Sequence, residues 1–273
     1  MAAPRVSLVI TTYERPDALA AVLATAFAQS RMPDEILVAD DGSGPATRAV
    51  IERYASRSGV ALRHLWQPHE GFRLTRVRNL AIRAARSEYL VFIDGDMLLH
   101  RHFIADHARC ARRGYYAQGV RILLDAHATA AALAAPLAPR GFATAGSGRL
   151  RRLYACHAPR LAVRLRGIAN RLLAIKGCNQ AFWRDDLLAV NGYDERFVGW
   201  GPEDKELCAR LEHYGVRRQS VLFAAIAWHL HHPPAARDRR EANERLLADT
   251  LRTRRVRCPV GVAEHAADAT REC

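Results

Sequence analysis

The chain has 273 residues, 49% of them hydrophobic and 25% charged, a balance that excludes wholesale disorder and allows a sizeable core. The formal net charge of +13 comes mostly from Arg and leaves nucleic acid, an anionic membrane surface or a phosphorylated or acidic substrate as compatible partners. Six scattered cysteines without a C-x-x-C pair exclude a zinc framework or disulfide scaffold and predict reduced thiols in a cytosolic setting, and no apolar window approaches transmembrane length.

Met1 to Ile10 lacks the charged and apolar regions of a signal peptide, so Val6 to Ile10 reads as a strand, ended by Thr11-Thr-Tyr-Glu-Arg-Pro16. Asp17 is expected to cap a helix running to Gln29. Met32-Pro33-Asp34 breaks it, and Glu35 to Ala39 forms a second strand that ends in Asp40-Asp41-Gly42. A helix over Ala46 to Ser56, a strand over Ala61 to Trp66 and an Arg-studded helix over Leu74 to Ala85 follow. Tyr89-Leu-Val-Phe-Ile93 then shows no polar alternation, as a strand buried on both faces requires, and stops abruptly in Asp94-Gly95-Asp96. This β-α-β-α-β-α-β order predicts an α/β fold with a Rossmann-like, mostly parallel sheet flanked by helices.

Further on, a helix is expected over Phe103 to Gly114 and a strand over Tyr116 to Leu124. Asp125 to Ala138 is Ala-rich, Arg140 to Gly148 is a Gly-punctuated loop, and Leu150 to Leu173 carries Arg151, Arg152, Arg160, Arg164, Arg166 and Arg171 among leucines and valines. Such a basic amphipathic stretch suits an anionic membrane surface or acidic partner, and equally a solvated helical face. A strand over Ile175 to Trp183 and a short helix to Val190 come next. Gly199 and Gly201 flank Trp200, and Pro202-Glu203-Asp204 opens a helix through Tyr214 with Leu207, Leu211 and Tyr214 as its buried stripe. Val221 to Trp228 reads as the last strand and leads into His229-Leu-His-His232. From Ala235 the chain is charged and helical to about Arg255, with loosely ordered final residues.

Neither G-x-G-x-x-G nor G-x-x-x-x-G-K-[ST] occurs, so the usual phosphate cradles are missing. Polar residues stand instead at three strand ends: Thr11 to Glu14, Asp40 with Asp41, and Asp94 with Asp96. A nucleotide can lie across such a rim, and two carboxylates on a rigid strand end suit a divalent cation and the phosphates it carries. Taken singly, Asp40-Asp41-Gly42 and Asp94-Gly95-Asp96 fit solvated turns as well.

Five motifs occur in one order: Val6-Ser-Leu-Val-Ile-Thr-Thr-Tyr-Glu-Arg15, Val38-Ala-Asp-Asp-Gly-Ser43, Gly71-Phe-Arg-Leu-Thr-Arg-Val-Arg-Asn79, Asp94-Gly-Asp96 and Gly199-Trp-Gly-Pro-Glu-Asp-Lys-Glu206. The series resembles family 2 glycosyltransferases with the GT-A fold. Its second half is similar to the C-terminal region of β-1,4-galactosyltransferases and of chondroitin-type polymerases. The resemblance covers about residues 5 to 125 and 174 to 234. It implies one GT-A domain over 1–234, with a nucleotide-sugar-binding half (1–124), an Ala/Arg-rich insertion (125–173) and an acceptor half (174–234), followed by a basic helical tail (235–273).

The resemblance also implies roles. Thr11, Tyr13, Glu14, Asp40, Asp41, Arg73, Arg78, Asn79, Asp94 and Gly95 would bind the donor, with Arg76 less clearly placed. Asp96 and His229 would hold Mn²⁺ or Mg²⁺, although His231 and His232 crowd that position. Asp204 would be the base, Glu203 would support it or hold the acceptor, and Trp200, Gly201 and Asn179 would line the acceptor site. The chemistry agrees: a departing nucleoside diphosphate needs a cation and Arg, and an attacking hydroxyl needs one carboxylate to take its proton. A helix N-terminus is expected to keep Asp204 ionised.

The expectation is thus a metal-dependent inverting glycosyltransferase that uses a nucleotide-sugar, a UDP-sugar for preference. Its acceptor would be a glycan or lipid-linked molecule in lipopolysaccharide or surface polysaccharide synthesis. It would be cytoplasmic, touch the inner face of the membrane peripherally, and bind no nucleic acid. A sugar nucleotidyltransferase would want a Gly-rich phosphate loop with Lys after the first strand, which Thr11 to Pro16 does not supply. A non-catalytic basic module binding membrane or nucleic acid would want aromatics interleaved on a basic strand face or a recognised nucleic-acid motif, and the sequence has neither.

Overall fold

The computed structural model describes residues 3–56, 59–140, 153–165, 170, 174–234 and 236–265. The apolar runs of the first half become β1 (Val6–Thr12), β2 (Glu35–Asp40), β3 (Ala61–Trp66) and β4 (Tyr89–Asp94), alternating with α1 (Pro16–Ala26), α2 (Pro45–Ala55) and α3 (Leu74–Ala84). Every residue of β1 and β2 is buried, which explains why these strands read as unbroken apolar runs and not as alternating ones. There follow β5 (Met97–Leu99), α4 (Phe103–Cys110), β6 (Tyr115–Gln118), β7 (Arg121–Leu123), α5 (Ala126–Ala134) and α6 (Pro159–Arg164). The last third adds β8 (Asn179–Trp183), α7 (Arg184–Ala189), α8 (Glu203–Tyr214), β9 (Arg217–Ser220), β10 (Ala227–His229) and α9 (Arg240–Thr253).

The main sheet has seven strands in the order β3-β2-β1-β4-β8-β6-β9. Its first four strands are parallel, and β8 runs antiparallel to both β4 and β6. Register pairs Thr12 with Asp40 and Thr11 with Asp94, so the carboxyl ends of β1, β2 and β4 form one level rim. A second sheet of three strands, β5-β10-β7, stands beside it. There His229 pairs with Met97, which delivers a histidine from near the end of the described chain to the residue after Asp96. Apolar clusters fill both faces of the main sheet: α1 and β5 contribute to one, α3, α7 and α8 to the other.

Several boundaries differ from the sequence reading. Asp17 lies inside the first turn of α1, whose N-cap Arg15 makes no side-chain cap bond, and the helix ends at Ala26. α4 stops at Cys110, not Gly114. The run Tyr116 to Leu124 divides at Gly119 between two sheets, because the chain turns tightly against Asn179: a Cβ at Gly119 would lie 2.3 Å from its amide nitrogen. The strand expected from Ile175 begins at Asn179. Residues 221–226 are not a strand; Phe223 and Ala225 adopt left-handed backbone angles, φ +63° and +48°, which no ladder accommodates. Tyr214 is 51% exposed and leaves the stripe to Leu207 and Leu211, since the left-handed Gly215 ends α8 there.

Asp125 caps α5 by accepting the Ala128 amide, turning the Ala-rich stretch into an ordinary helix. Within the Arg-rich stretch residues 153–165 and 170 are described, and they hold a 3₁₀ turn, Leu153–Ala155, and α6; the rest of that expectation, with the Arg140–Gly148 loop beyond Arg140, falls outside the described residues. The charged helix begins at Arg240, and the segment after it packs inward, with Cys258 and Val262 buried. No helix among the described residues is long and apolar enough to cross a membrane.

Candidate active site

The rim's centre is the end of β4. Thr11 donates its hydroxyl to Asp94 Oδ1 at 3.2 Å across the register pair. Gly95 is obligatory for packing: a Cβ there would lie 2.7 Å from the Thr11 carbonyl oxygen, and that backbone cannot yield. From α3, Arg78 reaches under the rim with 1% of its side chain exposed. One guanidinium nitrogen donates to Asp94 Oδ1 at 3.1 Å and another to Glu203 Oε1 at 3.4 Å. Burial works against the Arg78 charge, but Tyr193, Asp94, Glu203 and Asp204 around it more than offset that, and its pKa is raised. A single buried cation therefore ties the end of β4 to the start of α8.

Asp96, one residue beyond Gly95, faces His229 Nε2 at 3.6 Å, His232 Nε2 at 3.2 Å and Arg15 at 3.7 Å. One ligand atom from each of Asp96, His229 and His232 falls within 4.8 Å of the other two. Asp96 Oδ1 is buried without a hydrogen-bond partner. Burial and the neighbouring Asp94 push the Asp96 carboxyl up to about 7, while burial, with Arg121 next, pushes His229 down to about 4. An orphaned carboxyl oxygen beside two imidazoles, that of His229 held neutral by burial, is a donor set that fits a divalent cation. His232 and not His231 shares the site with His229; His231 is exposed and its amide donates to Thr129 Oγ1 at 2.7 Å.

At the start of α8, Asp204 accepts the Gly177 amide at 2.7 Å and the Lys205 amide at 2.7 Å. Contrary to the expectation from sequence, the helix N-terminus does not leave this acid readily ionised. Burial raises the Asp204 pKa and outweighs the two amides and Arg78. Glu203 is pushed up to about 8 by burial and then by Asp204, against the pull of Arg78. Burial thus raises both adjacent carboxyls, each against the pull of Arg78.

Trp200, three residues before Glu203, is 38% exposed, with the Arg237 guanidinium carbon 4.9 Å from its ring centre. Its loop is held from behind by Asn243 of α9, which donates to the Val198 and Trp200 carbonyls at 3.1 and 3.0 Å. Gly201 makes that approach possible, since a Cβ there would lie 2.5 Å from the Asn243 amide nitrogen. Asn243 escaped the sequence reading: it is one polar residue on a charged helix, and nothing local marks it as buried.

Three expected ligands are occupied by the fold. Asn79 is fully buried and clamps α3 to the 193–195 segment, donating to Tyr193 O and Glu195 Oε1 and accepting the Tyr193 amide, each at 2.8 Å. Both of its donors are used, so it is not placed to bind a donor nucleotide. Asn179 donates to Val120 O and Ala225 O and faces His107 Nε2 at 2.9 Å, which removes it from the acceptor side. Asp40 has no exposure and receives Ser43 and His64, so it holds the turn after β2.

The other donor-side residues lie along the rim. Asp41 is nearly buried, accepts Gln67 and the Arg73 amide, and is raised in pKa by burial. Tyr13 is 41% exposed and stacks on His69 at 4.3 Å, while Glu14, at φ +46°, accepts the Gly44 amide at 2.8 Å. Arg73 caps α3 and pairs in solvent with Glu70 at 2.9 Å.

The description "Glycosyl transferase family 2" matches residues 7–168, and "N-terminal domain of galactosyltransferase" matches residues 159–233. The chain is 29% identical to the validoxylamine A glucosyltransferase of Streptomyces hygroscopicus subsp. limoneus, over 78% of this chain and 49% of that protein. It is 27% identical to the chondroitin synthase of Escherichia coli, over 83% of this chain and 35% of that one. The chain thus spans half or less of the length of these relatives. Among solved structures, S. aureus TarS 1–349 in complex with UDP superposes with TM-score 0.62 at 16% identity, covering 95% of this chain and 68% of that one. The mannosyltransferase PcManGT from Pyrobaculum calidifontis, in complex with GDP-Man and Mn²⁺, gives TM-score 0.56 at 17% identity, covering 84% and 58%. These structural likenesses show the GT-A fold.

Proposed function

Because the chain belongs to glycosyl transferase family 2, we propose that it moves a sugar from a nucleotide-sugar, a UDP-sugar, to a hydroxyl of a glycan or lipid-linked acceptor, inverting the anomeric centre. The observation that carries this reading is the Asp94–Arg78–Glu203 bridge, which places a cation-suited trio at one end and a high-pKa carboxylate pair at the other. Asp96, His229 and His232 would hold Mn²⁺ or Mg²⁺, which when bound supplies Lewis-acid stabilisation of a departing diphosphate.

The protein's own groups do the rest. Asp204 takes the proton from the acceptor hydroxyl as its oxygen bonds to the anomeric carbon and the carbon–oxygen bond to the diphosphate breaks. Glu203 keeps its proton at neutral pH and donates a hydrogen bond to the acceptor. Arg78 holds Glu203 in place and pairs with Asp94 on the donor side. Trp200 offers an apolar face to a sugar ring, and Tyr13 an aromatic face at the donor rim. Exposed Leu153, Leu161 and Val163 beside Arg160 and Arg164 support peripheral contact with an anionic bilayer at the cytoplasmic face, where a lipid-linked polysaccharide precursor would be met.

The test is release of nucleoside diphosphate from a panel of nucleotide-sugars with and without Mn²⁺. Asp96→Ala and Asp204→Ala should each lower turnover by at least about a hundredfold, and Asp204→Ala should retain donor binding. Full turnover in both variants would remove the site assignment. Absence of Mn²⁺-dependent nucleotide-sugar binding by the intact protein would remove the function.

A further inference from the structure

A second set of metal-ligating side chains lies on the other side of the β5–β10 pair. His100 follows β5 directly, and its amide donates to Ile226 O at 3.0 Å, just ahead of β10. One turn into α4, Asp106 has no exposure. It accepts the Ala225 amide at 3.0 Å, meets Arg109, and faces His157 Nε2 at 2.8 Å. His157 comes from the segment between the 153–155 turn and α6, about fifty residues downstream of Asp106. Its ring centre stands 4.5 Å from that of His100 and 5.2 Å from that of His102. His102 is itself braced by Ser30 Oγ at 2.6 Å from its Nδ1.

One nitrogen from each of His100 and His157 and one Asp106 oxygen lie within 4.8 Å of one another. His100 carries its free lone pair at neutral pH: burial, then His157, pushes its pKa down to about 4. Among the described residues the contact at the His100 Nδ1 is a long one, 3.3 Å from the His102 amide, which a stronger partner can displace. This set is separate from the rim. Successive residues of a strand point to opposite faces, and the side chain that approaches His100 from β10 is Trp228, next to His229.

We propose that His100, Asp106 and His157 form a second metal site, for a transition-metal ion of the zinc class, which pins residues 153–164 onto the domain. Two imidazoles with one carboxyl group favour such ions over Ca²⁺ or Mg²⁺, which take oxygen ligands. The residues fastened are those between the donor half and the acceptor half. Asp106 also fixes Ala225 ahead of β10, so the ion would brace the strand that carries His229 without entering the reaction.

The experiment is Zn²⁺ titration of the chelator-stripped full chain by calorimetry, with limited proteolysis across residues 153–164 as a second measurement. Wild type should bind two equivalents. Asp96→Ala should lose one and keep Zn²⁺ protection of the segment; His157→Ala and His100→Gln should lose the other equivalent and that protection. His100→Gln keeps a side chain of similar size, and both variants should retain wild-type far-UV circular dichroism. The proposal is overturned if both histidine variants bind two equivalents, or if wild type binds one that Asp96→Ala abolishes. Zn²⁺ bound by the second site without any change in cleavage of 153–164 overturns the pinning role. None of these measurements depends on transferase activity.

Discussion

Replacing Arg78 by Met keeps most of the side chain's volume and deletes its charge. At pH 6 Glu203, whose carboxyl titrates at about 8, carries a proton. The loss there is mainly the charge-assisted bond to Asp94, about 1.5–3 kcal/mol, and the lower end applies because Asp94 is a third exposed. At pH 9 the wild type holds an ionised Glu203 against Arg78 at 3.4 Å, and the variant must bury that carboxylate alone or keep it protonated. Breaking a buried pair costs about 3–5 kcal/mol.

The sign follows from linkage. A carboxyl raised in the folded state binds its proton more tightly there, so stability is lost as pH climbs from the ordinary carboxylate range through about 8. Without Arg78, which lowers the Glu203 pKa, that loss extends to higher pH. Denaturant unfolding of both proteins at pH 6 and pH 9 should show a cost of about 2 kcal/mol rising to about 3 kcal/mol, since one pH unit beyond the Glu203 titration is equivalent to about 1.4 kcal/mol. A cost that is equal at the two pH values, or below about 1 kcal/mol at both, refutes the bridge as described.

Turnover should rise with pH along an acid limb displaced above the ordinary aspartate range, because burial raises Asp204 and a base works only when deprotonated; an initial-rate profile under saturating donor reads it. Asn243→Ala should raise the acceptor KM roughly tenfold, the equivalent of about 1.4 kcal/mol, with the donor KM unchanged, because it frees the Trp200 loop and touches nothing on the donor rim. Asn79→Ala should cost about 2–3 kcal/mol of stability for its unpaired buried partners and leave the donor KM of the folded protein unaltered; a donor defect without destabilisation would restore the ligand role expected from sequence.

Much of the fold was legible because its signals are local. β1, β2 and β4 announce themselves as apolar runs because both faces of each are covered, and a side chain's burial then depends only on its own strand. The pairing of Asp94 with Asp96 around Gly95 was equally visible, since the motif is three residues long and the tight approach to Thr11 explains the glycine. Where a strand divides between sheets, as at Gly119, hydropathy stays continuous and the break is invisible.

By itself, the sequence determined the alternating strands and helices of the first half, their order, and the residue types gathered at the strand ends. Tertiary structure alone decided which of those residues are free to act. Asn79, Asn179 and Asp40 look like ligands until partners up to 116 residues away fill their hydrogen-bonding capacity. His232 was separated from His231 by the path of the chain after β10, and Asn243 gained its place behind Trp200 from a helix that packs on α8. Asp204 was expected to ionise easily at a helix start, yet burial raised its pKa. Periodicity and propensity act over a few neighbouring residues, whereas hydrogen-bond saturation and desolvation are set by whatever the completed fold brings against a side chain.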